Sequence, residues 1–280
     1  MGAIPQYTRR DFIKELTCGV GALGLSLALQ KAGFAGMGDA VAAGETLART
    51  GQEAKTLIID PHYHLLKKEW QPQRLWDAIA SQLPVHVTGD PHKRMSAEEF
   101  REQYFAKFWD PEGEQLLKKM DEAGIAVTVM LADDFGMALG EPPVSIEEQN
   151  KAIAAVAKKH PDRLMAFAVV DPRRKNAVKI IEQCIKEWGM KGVGEYHPDA
   201  GWAPNGKESY RLLERLQEWR VPVIAHTGLF FPPLHSKHDH PLLLDDVCSD
   251  FPELKIIAAH SGRTLWWETV ANMARIHPNL

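Results

Sequence analysis

The sequence predicts an α/β fold, a (β/α)8 TIM barrel in which about six βα units are present and a helical insertion follows strand 1. From Thr56 onward, short apolar or β-branched runs alternate with amphipathic stretches of helical periodicity. This alternation is typical of parallel strands joined by crossover helices. No G-x-G-x-x-G motif follows a predicted strand, which disfavours the competing open sheet that binds dinucleotides.

The elements follow one another regularly along the chain. The predicted strands are Leu57–Asp60, Ala126–Leu131, Leu164–Val169, Gly192–Glu195, Val221–His226 and Lys255–His260. The predicted helices are Gly113–Ala123, Ile146–His160, Asn176–Trp188, Lys207–Trp219, Leu242–Phe251 and Leu265–Ile276. The segment from about 67 to 110 is too long and too rich in Trp, Phe and charged residues for a simple βα loop. We expect it to form a helical cap over an active site.

The composition indicates one globular domain with a small-molecule ligand. The chain has 280 residues, of which 45% are hydrophobic and 25% charged. A net charge of -4 provides no basic stripe, so neither nucleic acid nor an anionic membrane is favoured as a partner. The composition is compatible with a homo-oligomer and with a monomer. Cys18, Cys184 and Cys248 match neither a disulfide framework nor a zinc motif and are expected to be buried apolar residues.

The N-terminal segment is predicted to be a twin-arginine signal peptide. Arg9 and Arg10 precede the apolar run Leu16–Leu29 and an A-x-A-like cleavage site at Ala40-Val41-Ala42. A run of about 14 residues is shorter than the ~20 that a helix needs to cross a bilayer. We therefore expect a periplasmic or extracellular protein without membrane contact after cleavage. The predicted organisation is a signal peptide at 1–42, a linker at 43–55 and the barrel at 56–280.

Polar residues end four of the predicted strands. These ends are Asp60-Pro61-His62-Tyr63-His64, Gly194-Glu195-Tyr196-His197, Ala225-His226-Thr227-Gly228 and Ala259-His260-Ser261-Gly262. Functional residues of parallel barrels stand at the C-terminal ends of strands, so these side chains are expected to meet at one mouth. His62 and His64 are two positions apart on an extended segment and so point to the same face, where both can reach one cation. Imidazoles suit zinc, and also iron, manganese or nickel.

These motifs resemble the amidohydrolase superfamily. The D-x-H-x-H of Asp60 to His64, the PVIAHTG around His226 and the KIIAAHSGRTLWWE around His260 are similar to its amidohydrolase-related branch. That branch includes aminocarboxymuconate-semialdehyde decarboxylase and aromatic-acid decarboxylases, and the similarity extends from Leu57 to Leu280.

The resemblance implies a divalent metal ion, with zinc the first expectation. His62, His64 and His226 would be ligands. His260 would stand beside the metal-bound water or the substrate as the catalytic acid or base, or alternatively ligate the ion. Glu195 occupies a position that binds metal in some members of the superfamily and contacts substrate in others.

Two further residues are candidates for substrate binding. His197 shares the face of Glu195, and Arg263 follows His260 closely enough to clamp a carboxylate. The histidines of the loop after strand five, His235, His238 and His240, are a third possible metal site, although a polar loop explains them as well.

The resemblance implies a metal-dependent hydrolase that acts on a small, carboxylated, cyclic or aromatic substrate. A decarboxylase with the same site is the alternative. A third interpretation is a non-catalytic remnant. In the superfamily an aspartate that ends strand eight usually completes the set of metal ligands, and no aspartate follows Asp250 in this sequence. The last six residues resemble the approach to strand seven, so we expect a barrel truncated before strands 7 and 8.

Export is predicted to depend on the arginine pair. The double substitution Arg9→Lys, Arg10→Lys keeps the positive charge but removes the twin-arginine signal, and should leave the protein in the cytoplasm. Cell fractionation measures the outcome, with Lys14→Arg as a control that should not change export. Equal periplasmic recovery of the double variant and the wild type would contradict the twin-arginine route.

Overall fold

The computed structural model describes residues 57–82, 98, 99, 102 and 109–280. Its strands are β1 (Ile59–His64), β2 (Val127–Leu131), β3 (Leu164–Ala168), β4 (Gly192–Tyr196), β5 (Val223–Gly228) and β6 (Ile256–Arg263). Its helices are α1 (Gln73–Gln82), α2 (Glu114–Ala123), α3 (Gly136–Leu139), α4 (Ile146–Lys159), α5 (Ala177–Lys186), α6 (Lys207–Trp219), α7 (Leu243–Asp250) and α8 (Trp267–Ile276). The predicted signal peptide, the predicted linker and most of the predicted cap lie outside the described residues.

The six strands form one parallel sheet in sequential order, from β1 to β6. Helices connect the strands, as the alternating sequence pattern predicted. This topology confirms the predicted α/β barrel type with six βα units. Because all strands are parallel, the six C-terminal ends lie at the same edge of the sheet.

The observed elements begin and end close to the predicted residues, with three informative differences. Strand β1 continues through Pro61 to His64, with a register shift between Asp60 and Tyr63. The shift lies at Pro61, which has no N–H to donate to the ladder. Strand β6 likewise extends to Arg263. The short helix α3 was not predicted, since four residues are too few to show helical periodicity.

Local signals in the sequence account for the helix positions. Helix α4 begins with a capping box, in which the Ser145 hydroxyl accepts the N–H of Glu148 and the Glu148 side chain accepts the N–H of Ser145. Helix α2 ends at Ala123 and is capped by Gly124, whose φ of +70° is a conformation that favours glycine. Helix α5 buries an apolar stripe with helical spacing that packs into the core between helices and sheet.

Cys184 and Cys248 are buried free thiols, as predicted, and Cys18 lies outside the described residues. Burial raises the pKa of the Cys184 thiol to about 12, which keeps it protonated and unreactive.

In the part of the chain that the structure describes, none of the helices has the length and apolar character required to cross a membrane.

Asn150 joins helix α4 to the end of β3. Its amide group donates to the carbonyl of Val169 at 2.8 Å and accepts the Val169 N–H at 2.9 Å. Asn150 is fully buried, so both backbone groups of Val169 depend on it for hydrogen bonding. The contact fixes the path of the chain where it leaves the sheet.

Asn150→Ala should destabilise the fold by about 2–6 kcal/mol, because two buried backbone groups lose their partners at about 1–3 kcal/mol each. Chemical denaturation measures this change. Asn272→Ala is the matched control, since the Asn272 amide is exposed and bonds only to its own helix at Glu268. Equal unfolding midpoints for the two variants would contradict the role assigned to Asn150.

Candidate metal centre

Five side chains converge where four of the strands end. His62 and His64 come from β1, Glu195 from β4, His226 from β5 and His260 from β6. The four imidazoles each have a ring nitrogen within 3.2 Å of the Glu195 carboxylate. We call these five residues the imidazole cluster. Each of them was a predicted site residue, and the structure brings all of them together.

The Glu195 carboxylate is shared between two pairs of imidazoles. Its Oε2 lies 2.9 Å from Nε2 of His62 and 3.1 Å from Nε2 of His64. Its Oε1 lies 2.9 Å from Nδ1 of His226 and 3.2 Å from Nε2 of His260. The Nε2 atoms of His62 and His64 are 2.8 Å apart, as expected for side chains two positions apart on a strand.

The charge of Glu195 depends on these neighbours. Its side chain is only 1% exposed. Burial by itself raises the pKa of Glu195, but nearby His197 and the hydrogen bonds from the cluster lower it well below its ordinary value. Buried charges need compensation of this kind, so the carboxylate and the imidazoles act as one electrostatic unit.

Gly194 allows Glu195 to reach the centre of the cluster. It has φ of +138°, and a Cβ at this position would lie 2.5 Å from the carbonyl oxygen of Ile224. Only glycine permits such a close approach of β4 to β5.

Thr227 holds the segment that carries His260. The Thr227 hydroxyl donates to the carbonyl of Ala259 at 2.6 Å and accepts the N–H of Gly262 at 2.8 Å. Between these two contacts, His260 has φ of +61°, which is uncommon for a residue with a side chain. The hydroxyl therefore stabilises the turn that directs the imidazole of His260 toward Glu195.

Asp133 is a residue of this site that the sequence analysis missed. Its Oδ1 lies 3.0 Å from Nδ1 of His64 and 2.9 Å from Nε2 of His197. Burial by itself lowers the pKa of His64, but the carboxylates of Asp133 and Glu195 override this effect and raise it to about 10. The signal was available, because Asp133 follows the end of β2 and the strand-end rule applies to that strand as well.

Four of the five cluster residues, His64, Glu195, His226 and His260, line a cavity of about 260 Å³. Seven of the 15 residues that line it are aromatic or aliphatic, namely Leu66, Leu75, Trp76, Ile79, Phe135, Phe230 and Phe231. Pockets with apolar walls and a few convergent polar groups are typical small-molecule sites.

Both predicted substrate-binding residues line this cavity. Arg263 is exposed, and its guanidinium donates to the carbonyl of Leu229 at 3.2 Å. His197 is 5% exposed and lies with its Nε2 3.6 Å from Oε2 of Glu195. The structure thus places a cation at the wall of the cavity and a fifth imidazole beside the cluster.

The amidohydrolase family model matches residues 59–280, which is more than half of the chain. The chain belongs to the amidohydrolase family. Among curated proteins it is similar to a 2-keto-4-carboxy-3-hexenedioate hydratase from Sphingobium sp., with 24% identity over 237 residues. The match covers 74% of this chain and 65% of the hydratase, so the chain spans less than two thirds of that relative's length.

Solved structures of TIM-barrel proteins are also similar. An uncharacterised TIM-barrel protein from Bordetella bronchiseptica matches with a TM-score of 0.56 and 22% identity, over 80% of this chain and 74% of the other. A 5-carboxyvanillate decarboxylase from Novosphingobium aromaticivorans, solved with bound manganese, matches with a TM-score of 0.52 and 18% identity, over 79% and 71%. These likenesses confirm the barrel fold.

Amidohydrolases depend on divalent metal ions, and the donors of this chain fit such an ion. Imidazole nitrogens and a carboxylate are ordinary ligands of zinc and of other divalent transition metals. His62, Glu195 and His260 offer ligand atoms that all lie within 4.8 Å of one another, and Glu195, His197 and His226 do the same.

The histidines of the loop after β5 take no part in these groups. Among the described residues, none of the potential metal groups includes His235, His238 or His240. Asp239, which lies between them in the sequence, is instead buried and groups with Asp199 and His226. Asp199 and Asp239 were not predicted as site residues.

His62→Ala and His64→Ala should each reduce the amount of divalent metal bound per chain, because both rings face one position beside Glu195. Mass spectrometry of the purified protein measures the metal content. His160→Ala is the control, since His160 lies at the end of α4, away from the cluster. An unchanged stoichiometry in both strand variants would rule out a shared ion at these two residues.

Proposed function

We propose that this protein is a metal-dependent lyase of the amidohydrolase family that removes CO2 from, or adds water to, a small, planar, carboxylated substrate. The observation that carries the proposal is the imidazole cluster at a cavity that several aromatic rings and the guanidinium of Arg263 also line. The similarity to a hydratase, and the barrel shared with decarboxylases, support lyase chemistry.

The wall of the cavity suits a conjugated substrate. The rings of Phe135 and Phe230 lie 5.8 Å apart at 40°, and Trp76 lines the same space. Aromatic faces of this kind pack against a planar ring or diene. Arg263 supplies the charge that holds a substrate carboxylate, which fixes the reacting carbon above the cluster.

Proton transfer is assigned to His260. In decarboxylation, the bond between the substrate carbon and its carboxylate breaks, CO2 leaves, and a proton is added to that carbon. In hydration, a water molecule loses a proton to the cluster, its oxygen bonds to one carbon of a double bond as the π bond breaks, and a proton is added to the neighbouring carbon. The His260 ring is 27% exposed at the cavity, held toward Glu195, and can deliver the proton in either reaction.

The metal ion would be held by His62, His64, His226 and Glu195. A divalent ion bound there supplies Lewis acidity to a substrate oxygen and lowers the pKa of a bound water. Zinc is the ion we propose first, because imidazole donors dominate the set. Manganese is the competitor, since it is bound in the related 5-carboxyvanillate decarboxylase.

Hydrolysis is the second candidate, and the family name favours it. The same cluster can direct water at a carbonyl carbon, so its residues can serve either reaction. Export by the twin-arginine route belongs to the same proposal and is supported by the sequence of the N-terminal segment alone.

Turnover of a substrate panel by the metal-loaded protein distinguishes the two candidates. We expect CO2 release from hydroxylated aromatic acids or loss of the double-bond absorbance of unsaturated tricarboxylic acids, abolished by a chelator and restored by zinc or manganese. Hydrolysis of esters or lactones without either lyase reaction would favour the second candidate. Metal binding without any turnover would favour the interpretation as a non-catalytic remnant.

Arg263→Gln should raise KM by about 10–150-fold, the equivalent of a charge-assisted hydrogen bond of roughly 1.5–3 kcal/mol, with a smaller effect on kcat. The reason is that Arg263 is assigned to the substrate carboxylate and not to the reacting atoms. Steady-state kinetics measure both constants, with Arg275→Gln on the exposed face of α8 as control. A fall in kcat at constant KM would contradict the clamp role.

A further inference from the structure

A second polar layer lies behind the imidazole cluster. The rings of His197 and His226 stack, with centroids 5.2 Å apart and an angle of 27°. Each ring directs one nitrogen to a carboxylate at the mouth: Nε2 of His197 to Asp133, and Nδ1 of His226 to Glu195. The second nitrogen of each ring therefore faces away from the mouth, into the protein.

Two carboxyl groups lie on that inner side. Asp199 is 0% and Asp239 1% exposed, and Oδ1 of Asp239 accepts the backbone N–H of Asp199 at 2.9 Å. Oδ1 of Asp199 lies 3.5 Å from Nδ1 of His197. Carboxylate oxygens of both aspartates and a ring nitrogen of His226 all lie within 4.8 Å of one another. We call Asp199 and Asp239 the inner carboxyl pair.

The inner layer concentrates buried polar atoms without hydrogen-bond partners. These atoms are Nε2 of His226, Nδ1 of His197, both carboxylate oxygens of Asp199 and Oδ2 of Asp239. Among the described residues, no lysine or arginine forms an ion pair with either aspartate. Such burial is costly, and buried polar groups without partners call for an explanation.

We propose that Asp199 and Asp239 are positioning residues for His226, an inference that rests on the proposed metal-dependent function. The inner carboxyl pair receives the Nε2–H of His226, through a small side-chain shift or one bridging water. This contact favours the tautomer whose Nδ1 lone pair is available to the metal ion that Glu195 would also bind. Metal-ligating histidines commonly donate their other N–H to a carboxylate, which orients the ring and increases its basicity.

A cation between the two aspartates and Nε2 of His226 is the competing occupant. If Nδ1 of His226 binds the metal at the mouth, a second cation on Nε2 would require the ring to lose both of its protons. A neutral imidazole can satisfy both sides at once, with its lone pair toward the metal and its N–H toward the inner carboxyl pair. The donor geometry of His226 therefore favours positioning over a second ion.

The loop after β5 delivers Asp239 to this position. Asp239 ends the turn Ser236–Asp239, and the N–H of His235 at the start of that turn donates to the carbonyl of Asp199 at 2.8 Å. With the contact from the Asp199 N–H to Asp239, the loop is fixed to the chain after β4 at two points. These contacts hold Asp239 beside Asp199, and they use backbone groups of Asp199, so substitutions of its side chain leave them in place.

The test compares Asp199→Ala, Asp199→Asn and Asp239→Asn with wild type. Affinity for Zn²⁺ is measured by competition with a chelator, and ring orientation by the visible spectrum of the Co²⁺-loaded protein. We expect Asp199→Ala to weaken metal binding by about 10–100-fold and to alter the Co²⁺ spectrum. The metal affinity of Asp199→Asn should lie between those of Asp199→Ala and the wild type, because the amide oxygen still accepts the Nε2–H of His226. Asp239→Asn should also weaken metal binding, by a smaller factor.

Controls separate positioning from folding and from the proposed function. Asp110→Asn also changes a buried carboxyl, one that accepts the N–H of Leu116 away from the cluster, and should leave affinity and spectrum unchanged. Wild-type affinity and spectrum in all three variants of the inner carboxyl pair would overturn the inference alone. Two ions per wild-type chain, of which Asp199→Ala loses one while the other binds unchanged, would overturn it in favour of a second cation site. A wild type that takes up no divalent ion would overturn the proposed function as well.

Discussion

The ionised carboxylate of Glu195 is the interaction on which the rest of the site depends. It is almost fully buried, and four imidazoles from three other strands surround it at 2.9–3.2 Å. An isolated carboxylate in such a place would be strongly disfavoured, so the charge and the imidazoles require each other. The positive φ of Gly194 and the Thr227 hydroxyl beside His260 are the local means by which the backbone satisfies this requirement.

The parallel sheet is what allows one carboxylate to gather ligands from so far apart in the chain. His64 and Glu195 are separated by 131 positions, yet both follow from the same rule, that polar residues end a buried strand. The apolar part of each strand fixes its place in the core, and the few residues after it are free to carry chemistry. Stability and function therefore come from different parts of the same strands.

The parts of the site that depend on local sequence patterns could be predicted from the sequence. The spacing of His62 and His64 fixes their common face, and strand-end position locates Glu195, His226 and His260. Asp133 was accessible to the same rule and was overlooked. Asp199 and Asp239 were not accessible to it, because their partnership joins a turn after β4 to a loop 40 residues later, and nothing in local periodicity predicts such a contact. The fold was predictable for the converse reason, since each strand and helix repeats one local pattern.

The apolar side chains that line the cavity, and not the imidazole cluster, distinguish the candidate reactions. Imidazoles and a carboxylate around a divalent ion serve decarboxylation, hydration and hydrolysis equally, because all three need a polarised oxygen and a proton donor. What differs is the access of water. Decarboxylation leaves carbanion character on carbon, which a dry aromatic wall protects until a fixed group delivers the proton, whereas hydrolysis and hydration need a water molecule at one defined position. In the proposed function, the rings of Phe135 and Phe230 would limit the access of water, and Arg263 would hold the substrate carboxylate. Under the same proposal, the cavity binds a flat anion, and the imidazole cluster then acts on that anion.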